Sequence, residues 1–324
     1  MSRRRKIAYF CLILILVLVM IISGLQILKS TVFHSQPTSG ERISQKTIVR
    51  DGVEYYPRQD LTVMMVLGID QFGPVQASKA YTNPGAADMV MLLIFDETNR
   101  ECTVLYLNRD TMLDVSVLGV RGEPAGTYYA QLALAHTYGT GMADSCENTR
   151  QTLESFLPGL TVDHYIAMNM DAIPILNDAV GGVTVNVVDD FSQVDDTIPM
   201  GQVTLKGNQV LSYVRIRKDV GDQKNVTRME RQKEYINNFL DRFRYMEQQN
   251  VNFFVETFEQ VSPYIVTDCT VNTLSGMLSR YQDYSLKEFV TPEGENVVGD
   301  EYYEFYPDEE KLDQLILRLF YAEK

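Results

Sequence analysis

The 324-residue sequence contains no tryptophan and only three histidines, His34, His136 and His164, which are widely separated. No H-E-x-x-H pair, G-x-S-x-G, P-loop or G-x-G-x-x-G occurs in it. Those patterns place zinc ligands, a serine nucleophile or phosphate-binding glycines. A zinc hydrolase, a serine hydrolase and a nucleotide-binding fold therefore have no support.

Cysteine is also scarce. Of the four cysteines, Cys11 lies in an apolar run near the N-terminus, and Cys102, Cys146 and Cys269 are far apart. An odd number of cysteines at long spacings is typical neither of a disulfide scaffold nor of a zinc site. One pair among the three is still able to form a bond, and the spacing does not indicate which.

Positive charge is the third feature in short supply. The chain has 29 Lys and Arg against 43 Asp and Glu, a formal net charge of −14. Nucleic-acid-binding surfaces are basic because they neutralise phosphates, so we expect no nucleic-acid partner. The 45% hydrophobic content is sufficient for a folded core.

One long apolar segment, residues 7–28, contains no acidic or basic side chain and is long enough to cross ~30 Å of hydrocarbon. Arg3, Arg4, Arg5 and Lys6 stand immediately before it, so the positive-inside rule predicts a cytoplasmic N-terminus. The alternative is a cleaved signal peptide, but its apolar region is shorter and ends at a small-residue cleavage site. We therefore predict a single-pass protein of the cell membrane with an extracytoplasmic C-terminal domain.

The rest of the chain predicts a linker and one domain. Residues 29–55 begin with a stretch rich in Ser, Thr, Gln, Gly and Pro, which is typical of a linker. Residues 56–324 contain no repeat, low-complexity tract or Gly/Pro/Ser-rich break. A single extracytoplasmic domain is therefore predicted from residue 56 onward.

Strand-like and helix-like patterns alternate in this domain. Strands are predicted at residues 61–69, 89–95, 103–107 and 183–188, and helices at 148–156 and 171–179. The second and third strands are expected to form a hairpin around the polar residues between them. The predicted fold is α/β, with a mixed central β-sheet flanked by helices on both faces.

The hairpin register brings charged residues to one edge of the sheet. With the turn near Thr98, antiparallel pairing places Asp88 opposite residues 108–110, which include Arg109. Asp70 ends the preceding strand, and Asp70 and Asp88 together suit Mg²⁺, which prefers oxygen ligands. Two isolated aspartates are also common as loop caps or ion-pair partners, and that alternative stays open.

A basic segment interrupts the acidic chain. Between Lys206 and Arg244 there are ten Lys and Arg against five Asp and Glu. Residues 213–217 alternate, which predicts a strand that presents Arg215 and Arg217 on one face. Paired guanidinium groups are suited to phosphate or diphosphate oxygens. A cation-decorated edge strand is the alternative.

A helix is predicted to begin near Val226. Its apolar stripe consists of Met229, Ile236, Phe239, Leu240 and Phe243. Arg228 and Gln232 lie on or beside that stripe rather than with the acidic residues opposite. A half-buried guanidinium needs a partner, which is either an anionic ligand or a core carboxylate such as Asp70 or Asp88.

Six blocks of sequence carry a family resemblance. They are L-G-I-D at 67–70, Asp88 before an apolar strand, N-R-D-T at 108–111, D-A-V-G-G-V at 178–183, L-K-G-N-Q-V-L-S-Y-V-R-I-R at 205–217 and R-M-E-R-Q at 228–232. In this order they resemble the LytR-CpsA-Psr family over residues 63–243. The resemblance implies a mixed α/β domain on an N-terminal membrane anchor, with an apolar pocket for a polyprenyl chain.

Members of that family transfer glycopolymers from undecaprenyl diphosphate carriers to peptidoglycan with Mg²⁺. The implied partners are therefore a polyprenyl-diphosphate glycopolymer, a peptidoglycan acceptor and the membrane. The implied site residues are Asp70 and Asp88 for the metal, Arg215, Arg217, Arg228 and Gln232 for the diphosphate, Arg109 for transition-state charge, and Asp110 to orient Arg109 or act as a base. These roles are typical of phosphoryl transfer, in which positioning and charge neutralisation dominate.

The chain departs from the family pattern at two places. Ala86-Ala87-Asp88-Met89 stands where Arg-Ser-Asp-Thr is usual, and Gln131-Leu132-Ala133 stands where Lys-x-Asn is usual. A relative that binds the lipid carrier, or scaffolds envelope assembly, without transfer is therefore the alternative to a phosphotransferase. A membrane-bound transcription regulator needs a cytoplasmic DNA-binding segment. The predicted cytoplasmic segment, residues 1–6, is too short for one.

Overall fold

The computed structural model describes residues 47–50, 52–216, 220–221, 225–250, 252–281, 283–299 and 302–323. The predicted cytoplasmic segment 1–6, the predicted anchor 7–28 and most of the predicted linker 29–55 lie outside these ranges. Among the residues that are described, no helix is both long and apolar enough to cross a bilayer.

The strands are numbered in chain order. They are β1 (Ile48–Arg50), β2 (Val53–Pro57), β3 (Leu61–Ile69), β4 (Ala87–Asp96), β5 (Glu101–Leu107), β6 (Met112–Leu118), β7 (Pro124–Gln131), β8 (His164–Asn169), β9 (Val183–Val187), β10 (Gly201–Leu205), β11 (Ile265–Thr267), β12 (Ser285–Val290), β13 (Gly294–Val298), β14 (Tyr303–Pro307) and β15 (Tyr321–Glu323).

The helices are numbered in the same way. They are α1 (Ala143–Phe156), α2 (Ala172–Ala179), α3 (Gln209–Arg215), α4 (Asn225–Gln249), α5 (Phe253–Val261), α6 (Val271–Tyr281) and α7 (Glu309–Phe320). Two short 3-10 helices, Leu132–Thr137 and Ser262–Tyr264, complete the helical elements described.

The central sheet has six strands in the order β11-β8-β3-β4-β5-β12. β3 is parallel to β8 and β5 is parallel to β12, whereas the other neighbouring pairs are antiparallel. The predicted mixed sheet is therefore confirmed. β3, β4 and β5 are buried on both faces, which explains why their sequences are nearly continuous apolar runs.

Helices cover both faces of this sheet, as predicted. Met64 and Val66 of β3 belong to a core that includes residues of α2 through α6. Met65 and Leu67 face the opposite core, which includes residues of α1 and α7. Successive strand residues point to opposite faces, so a single apolar strand contributes to both cores.

Most of the elements predicted from sequence are present. β3, the β4–β5 hairpin and α2 have nearly the predicted bounds, and α1 begins five residues earlier than expected, at Ala143. β9 is also present, but it pairs with β10 in a separate two-stranded sheet rather than in the central one.

The ordered structure begins before the predicted domain boundary at residue 56. β1 and β2 lie largely within the segment 29–55 that the sequence predicts to be linker, and β2 pairs with β15 at the other end of the chain. None of their residues is buried, so they lack the apolar pattern that marks a strand in sequence. Only pairing with a distant segment reveals them.

The strand predicted at residues 213–217 is wrong. Residues 209–215 form α3, and Ile216 is the extended residue that ends the helix. The buried side chains Val210, Tyr213 and Val214 recur at helical spacing, and an alternation of five residues is too short to exclude a helix. Arg217 lies outside the described residues.

Candidate functional site

Neighbouring strands bring four charged residues to one edge of the central sheet. Asp70 follows β3, Asp88 is the second residue of β4, and Arg109 and Asp110 follow β5. Since β3 and β5 both run antiparallel to β4, their ends meet its start. The register expected from sequence, with Asp88 opposite residues 108–110, is the one observed.

A β-bulge positions Asp88. Gly68 pairs with Met89 and Ile69 pairs with Ala87, which leaves Asp88 as the extra residue of β4. Such bulges turn a side chain out of the regular ladder and are frequent beside functional sites. A Cβ atom on Gly68 would lie 3.1 Å from the Met89 Cβ, so the bulge is tightly packed at its base.

Arg109 joins two carboxylates. Its Nη1 donates to Asp88 Oδ1, and its Nε donates to Asp110 Oδ1 at 3.2 Å. The Asp110 N–H donates to Asn108 Oδ1 at 3.1 Å, and Gln131 Nε2 donates to Asp110 Oδ1 at 3.3 Å. Arg109 is thus held in place, with a quarter of its side chain still exposed.

A second arginine reaches the same edge from α3. Arg215 Nη2 donates to Asp70 Oδ1 at 2.7 Å, and the Arg215 guanidinium lies 5.7 Å from the centre of the Phe72 ring. Both Arg215 and Asp70 are more than a third exposed, so this ion pair contributes little to folding stability. Both side chains are accessible to a ligand.

The charges around Asp88 influence its ionisation. Burial raises the pKa of the Asp88 carboxyl, and the nearby Asp70 charge raises it further, whereas Arg109, Arg228 and Arg215 lower it. The net shift is upward. Burial is the main cause of this shift, and repulsion between the Asp70 and Asp88 carboxylates adds to it.

Arg228 and Gln232 occupy successive turns on one face of α4. Arg228 is only 6% exposed. Gln232 Oε1 accepts a hydrogen bond from the Tyr106 hydroxyl at 3.2 Å, and Gln232 Nε2 donates to the Val214 carbonyl at 2.9 Å. The Arg228 guanidinium lies beside the same Tyr106 hydroxyl. The face of α4 that carries Arg228 and Gln232 is therefore hydrogen-bonded to β5 and α3.

The charged residues at this edge of the sheet, which we call the mouth, adjoin an apolar cavity of about 150 Å³. Asp88, Arg215, Arg228 and Gln232 contribute to its wall. The apolar lining consists of Val66, Met89, Met91, Met168, Met170, Ile173, Leu176, Val214, Tyr235, Ile236, Phe239 and Leu240. Of the residues predicted to bind diphosphate, the structure brings Arg215, Arg228 and Gln232 together, and Arg217 lies outside the described residues.

Arg231 has a different role from Arg228. It is 5% exposed, and its Nη1 donates to Asp189 Oδ2 at 3.0 Å. Its guanidinium also lies 5.1 Å from the centre of the Phe191 ring. Arg231 therefore fastens α4 to the loop after β9, and it is not among the residues that line the cavity.

Sequence reasoning missed several residues of the site. Tyr106 shares a face of β5 with Cys102 and Val104, so it reads as core, although a tyrosine on such a face needs a partner for its hydroxyl. Phe72 lies in an irregular loop that no periodicity marks. Met89 and Met91 alternate on β4, and Met168 and Met170 alternate across the end of β8, so a period-two pattern was the available signal.

The three cysteines of the described chain, Cys102, Cys146 and Cys269, are free thiols and all are buried. The disulfide that the sequence analysis left open is therefore not formed.

His136 gives the loop before Asp88 a pH-dependent contact. It is 1% exposed, and its Nδ1 lies 2.7 Å from the Gly85 carbonyl. Burial lowers the pKa of His136, and the Gly85 carbonyl and Asp144 only partly oppose that shift. The unfolded chain therefore binds the proton more readily than the folded chain, and His136 costs stability as pH falls below its unfolded pKa of about 6.5.

We expect His136→Asn to flatten the loss of melting temperature between pH 7.5 and pH 5, where the linked loss is at most ~1.4 kcal/mol per pH unit. His164→Asn, measured with EDTA present so that no metal ion binds this side chain, is the matched control of opposite sign, because Asp268 raises the pKa of His164. His164 stabilises the fold below pH 6.5 and loses that effect as pH rises through its folded pKa. Equal pH slopes for wild type and His136→Asn would contradict the assignment.

The fold and the site together define a mixed α/β domain with arginines and aspartates at the mouth of an apolar cavity. The family model described as the LytR_cpsA_psr family matches residues 26–320. The chain therefore belongs to this family, as the sequence blocks indicate.

Characterised relatives agree with this assignment. The polyisoprenyl-teichoic acid–peptidoglycan teichoic acid transferase TagU of Enterococcus faecalis is 26% identical over 219 residues, 68% of this chain and 65% of that protein. TagU of Oceanobacillus iheyensis is 26% identical over 242 residues, which are 72% of this chain and 69% of that protein. The chain thus spans slightly less than two thirds of the E. faecalis relative.

The fold is shared with solved structures. A structure of TagT bound to LI-WTA superposes with a TM-score of 0.60 at 22% identity, covering 87% of this chain and 96% of TagT. Crystalline TagV of Bacillus subtilis gives 0.59 at 22% identity, covering 81% of this chain and 96% of TagV.

Proposed function

We propose that this protein transfers a glycopolymer from a polyprenyl diphosphate carrier to peptidoglycan at the outer face of the cell membrane, to which residues 7–28 anchor it. The observation that carries the proposal is the pairing of an apolar cavity with a mouth that contains Arg215 and Arg228. An apolar lining suits a hydrocarbon chain, and guanidinium groups suit a diphosphate. The names of the relatives, which describe polyisoprenyl-linked teichoic acid transfer, support the same substrate class.

The size of the cavity bears on how the lipid binds. A volume of about 150 Å³ holds a benzene-sized group, so a polyprenyl chain requires the walls to move apart. Met89, Met91, Met168 and Met170 line the cavity. Methionine side chains are unbranched and repack easily, so we expect them to change rotamer when the chain enters.

The reaction requires the following changes in bonding. A peptidoglycan hydroxyl attacks the phosphorus that bears the saccharide, the bond from that phosphorus to the bridging oxygen breaks, and polyprenyl phosphate leaves with the electron pair. Arg215 and Arg228 hold the diphosphate, and Arg109 neutralises charge on the transferring phosphoryl group. Asp110, held by Arg109 and Gln131, orients that guanidinium or accepts the hydroxyl proton.

The donor set at the mouth suits Mg²⁺. Asp70 and Asp88 are close enough for the charge of one to raise the pKa of the other, and a divalent cation relieves that repulsion. In this proposal the two carboxylates hold the ion, which supplies further charge neutralisation to the diphosphate.

The glutamine at position 131 favours the alternative function, which is carrier binding or scaffolding without transfer. It stands where the family usually has lysine, and it donates a neutral hydrogen bond to Asp110 at 3.3 Å. With Ala86 in place of the usual arginine, the mouth carries two fewer cations than the family pattern. Binding of the carrier, or scaffolding, without transfer is the function expected if the remaining arginines do not suffice.

A transfer assay separates the two functions. The full-length protein in detergent micelles is incubated with a polyprenyl-diphosphate saccharide, Mg²⁺ and peptidoglycan. Release of polyprenyl phosphate together with saccharide bound to peptidoglycan supports transfer. Saturable binding of the carrier without release supports the alternative, and neither binding nor release would refute both.

The Arg215→Ala variant tests the diphosphate site. Loss of charged hydrogen bonds of this kind typically costs 1.5–3 kcal/mol, so we expect the Kd for the carrier to rise by about 10- to 100-fold. The melting temperature should change little, because the Asp70 pair is exposed.

Lys206→Ala is the matched control for this variant. Lys206 is an exposed cation three residues before α3, and it does not line the cavity. We expect it to leave the Kd unchanged. An equal effect of the two substitutions would mean that Arg215 acts only through general surface charge.

A further inference from the structure

Three potential metal ligands meet on the central sheet away from the cavity. His164 is the first residue of β8, and Asp268 and Cys269 follow β11. β8 and β11 are antiparallel, with Thr267 opposite Ile166. Continuing this register by two residues places Cys269 opposite His164, so the two side chains leave the same face of the sheet.

The donor atoms are close together. His164 Nδ1 lies 3.3 Å from Asp268 Oδ2, and Cys269 Sγ lies 3.6 Å from Asp268 Oδ1. One ligand atom from each residue falls within 4.8 Å of the other two. A tetrahedral zinc ion with ordinary bond lengths separates N from O by about 3.4 Å and S from O by about 3.6 Å. The two distances end on different oxygens of Asp268, but one ligand atom from each residue already lies within 4.8 Å of the other two, so small side-chain adjustments bring all three onto one ion.

Neighbouring backbone groups hold the cluster in this arrangement. The Tyr165 N–H donates to Asp268 Oδ1 at 2.9 Å. Thr267 Oγ1 accepts from the Cys269 N–H at 3.1 Å and donates to the Tyr165 carbonyl at 2.7 Å. Such outer contacts orient ligands before the ion arrives.

The cluster is partly open to solvent, so a bound ion is able to keep one water molecule as a ligand. The side chains of His164 and Asp268 are 29% and 30% exposed, whereas Cys269 is buried. An ion is therefore able to reach the site from solvent and bind a water as its fourth ligand. Without an ion, the His164 imidazole pairs with the Asp268 carboxylate and the Cys269 thiol donates a hydrogen bond to it, so both side chains already face the carboxylate.

We propose that His164, Asp268 and Cys269 bind Zn²⁺ or a similar late first-row divalent ion. The mixed N, O and S donors favour such ions over Mg²⁺ and Ca²⁺, which prefer oxygen alone. Without an ion, burial and Asp268 raise the pKa of the Cys269 thiol, which therefore stays protonated, and binding releases its proton.

The site would fasten the edge of the sheet. β11 is a three-residue edge strand, and the 3-10 helix that precedes it accepts the Val75 N–H at the Pro263 carbonyl, 2.8 Å away. Val75 belongs to the loop that leads from Asp70 to Asp88. An ion that joins β8 to β11 thus stabilises the segment that contacts this loop through Val75. The ion takes no part in the reaction proposed above.

Metal titration of the full-length protein in detergent micelles, in excess Mg²⁺, tests the proposal. We expect wild type to bind one more equivalent of Zn²⁺ than Cys269→Ser, and Co²⁺ to give a thiolate-to-cobalt charge-transfer band. Cys102→Ser, at a buried cysteine on β5, is the matched control and should keep both the equivalent and the band. His164→Gln should weaken Zn²⁺ binding by about 10-fold or more.

The proposal is overturned if wild type and Cys269→Ser bind equal amounts of Zn²⁺, or if the cobalt complex lacks the thiolate band. Should Cys269→Ser fail to fold, His164→Gln decides the matter, since unchanged zinc affinity in that variant also excludes the site. None of these outcomes depends on transfer activity, so they leave the proposed reaction to be judged separately.

Discussion

Replacing Arg109 by lysine is expected to lower kcat for glycopolymer transfer by about a thousandfold. Lysine keeps the charge but loses the planar fork with which Arg109 contacts Asp88 and Asp110 together. Because Arg215 and Arg228, the residues proposed to bind the diphosphate, are unchanged, the Kd for the carrier should change by only a few-fold. Single-turnover kinetics with the full-length protein, combined with carrier binding, separate these two effects.

Arg121→Lys is the control for this substitution, because Arg121 lies on the exposed turn between β6 and β7. It should leave both kcat and Kd unaltered. If Arg109→Lys weakens carrier binding and leaves kcat unchanged, Arg109 serves ground-state binding, and its proposed role in the transition state is wrong.

Replacing Asp88 by asparagine is expected to lower transfer at least about a hundredfold without lowering the melting temperature at pH 7. The pKa of Asp88 is raised in the folded protein, so its ionised form is less favourable there than in the unfolded chain. The ionised Asp88 therefore lowers the free energy of unfolding. This destabilisation is absent below the unfolded pKa and complete above the folded pKa. Removing the charge therefore relieves the fold at neutral pH while removing a proposed metal ligand.

Asp96, at the other end of β4, has a lowered pKa, whereas the pKa of Asp88 is raised. Hydrogen bonds from Asn99 and Arg58 lower the pKa of Asp96 despite its burial, so its charge stabilises the fold at neutral pH. Asp96→Asn should lower the melting temperature and leave transfer unaffected in the folded fraction. If both substitutions lower the melting temperature equally, Asp88 is an ordinary structural aspartate.

The sequence predicted the parts of the fold that local patterns determine. β3, β4 and β5 are long apolar runs, and such runs predict strands that are covered on both faces. The structure buries all three strands in this way. The hairpin turn fixed the register, and the register alone placed Asp88 beside Arg109.

Other parts depend on contacts between distant segments. β2 pairs with β15, and neither strand carries an apolar pattern that marks it in isolation. Residues 213–217 alternate as a strand does, but the burial of Val210 and Tyr213 together selects a helix. Tertiary packing decided both cases.

The arginines of the site show the same limit. Arg228 and Arg231 are three residues apart on α4 and almost equally buried, yet the first lines the cavity and the second pairs with Asp189. Helical periodicity placed Arg228 beside the apolar stripe, whereas the position of Asp189 relative to α4 is not readable from sequence. Spacing selects candidates, and only the packed structure assigns their partners.

The most direct measurement is an experimental structure of the full-length protein with a bound polyprenyl-diphosphate saccharide and Mg²⁺. We expect the two phosphates between Arg109, Arg215 and Arg228, the ion against Asp70 and Asp88, and the first isoprene units beyond Gln232 among the cavity methionines. A diphosphate bound on any other surface, with the cavity still closed, would contradict the account.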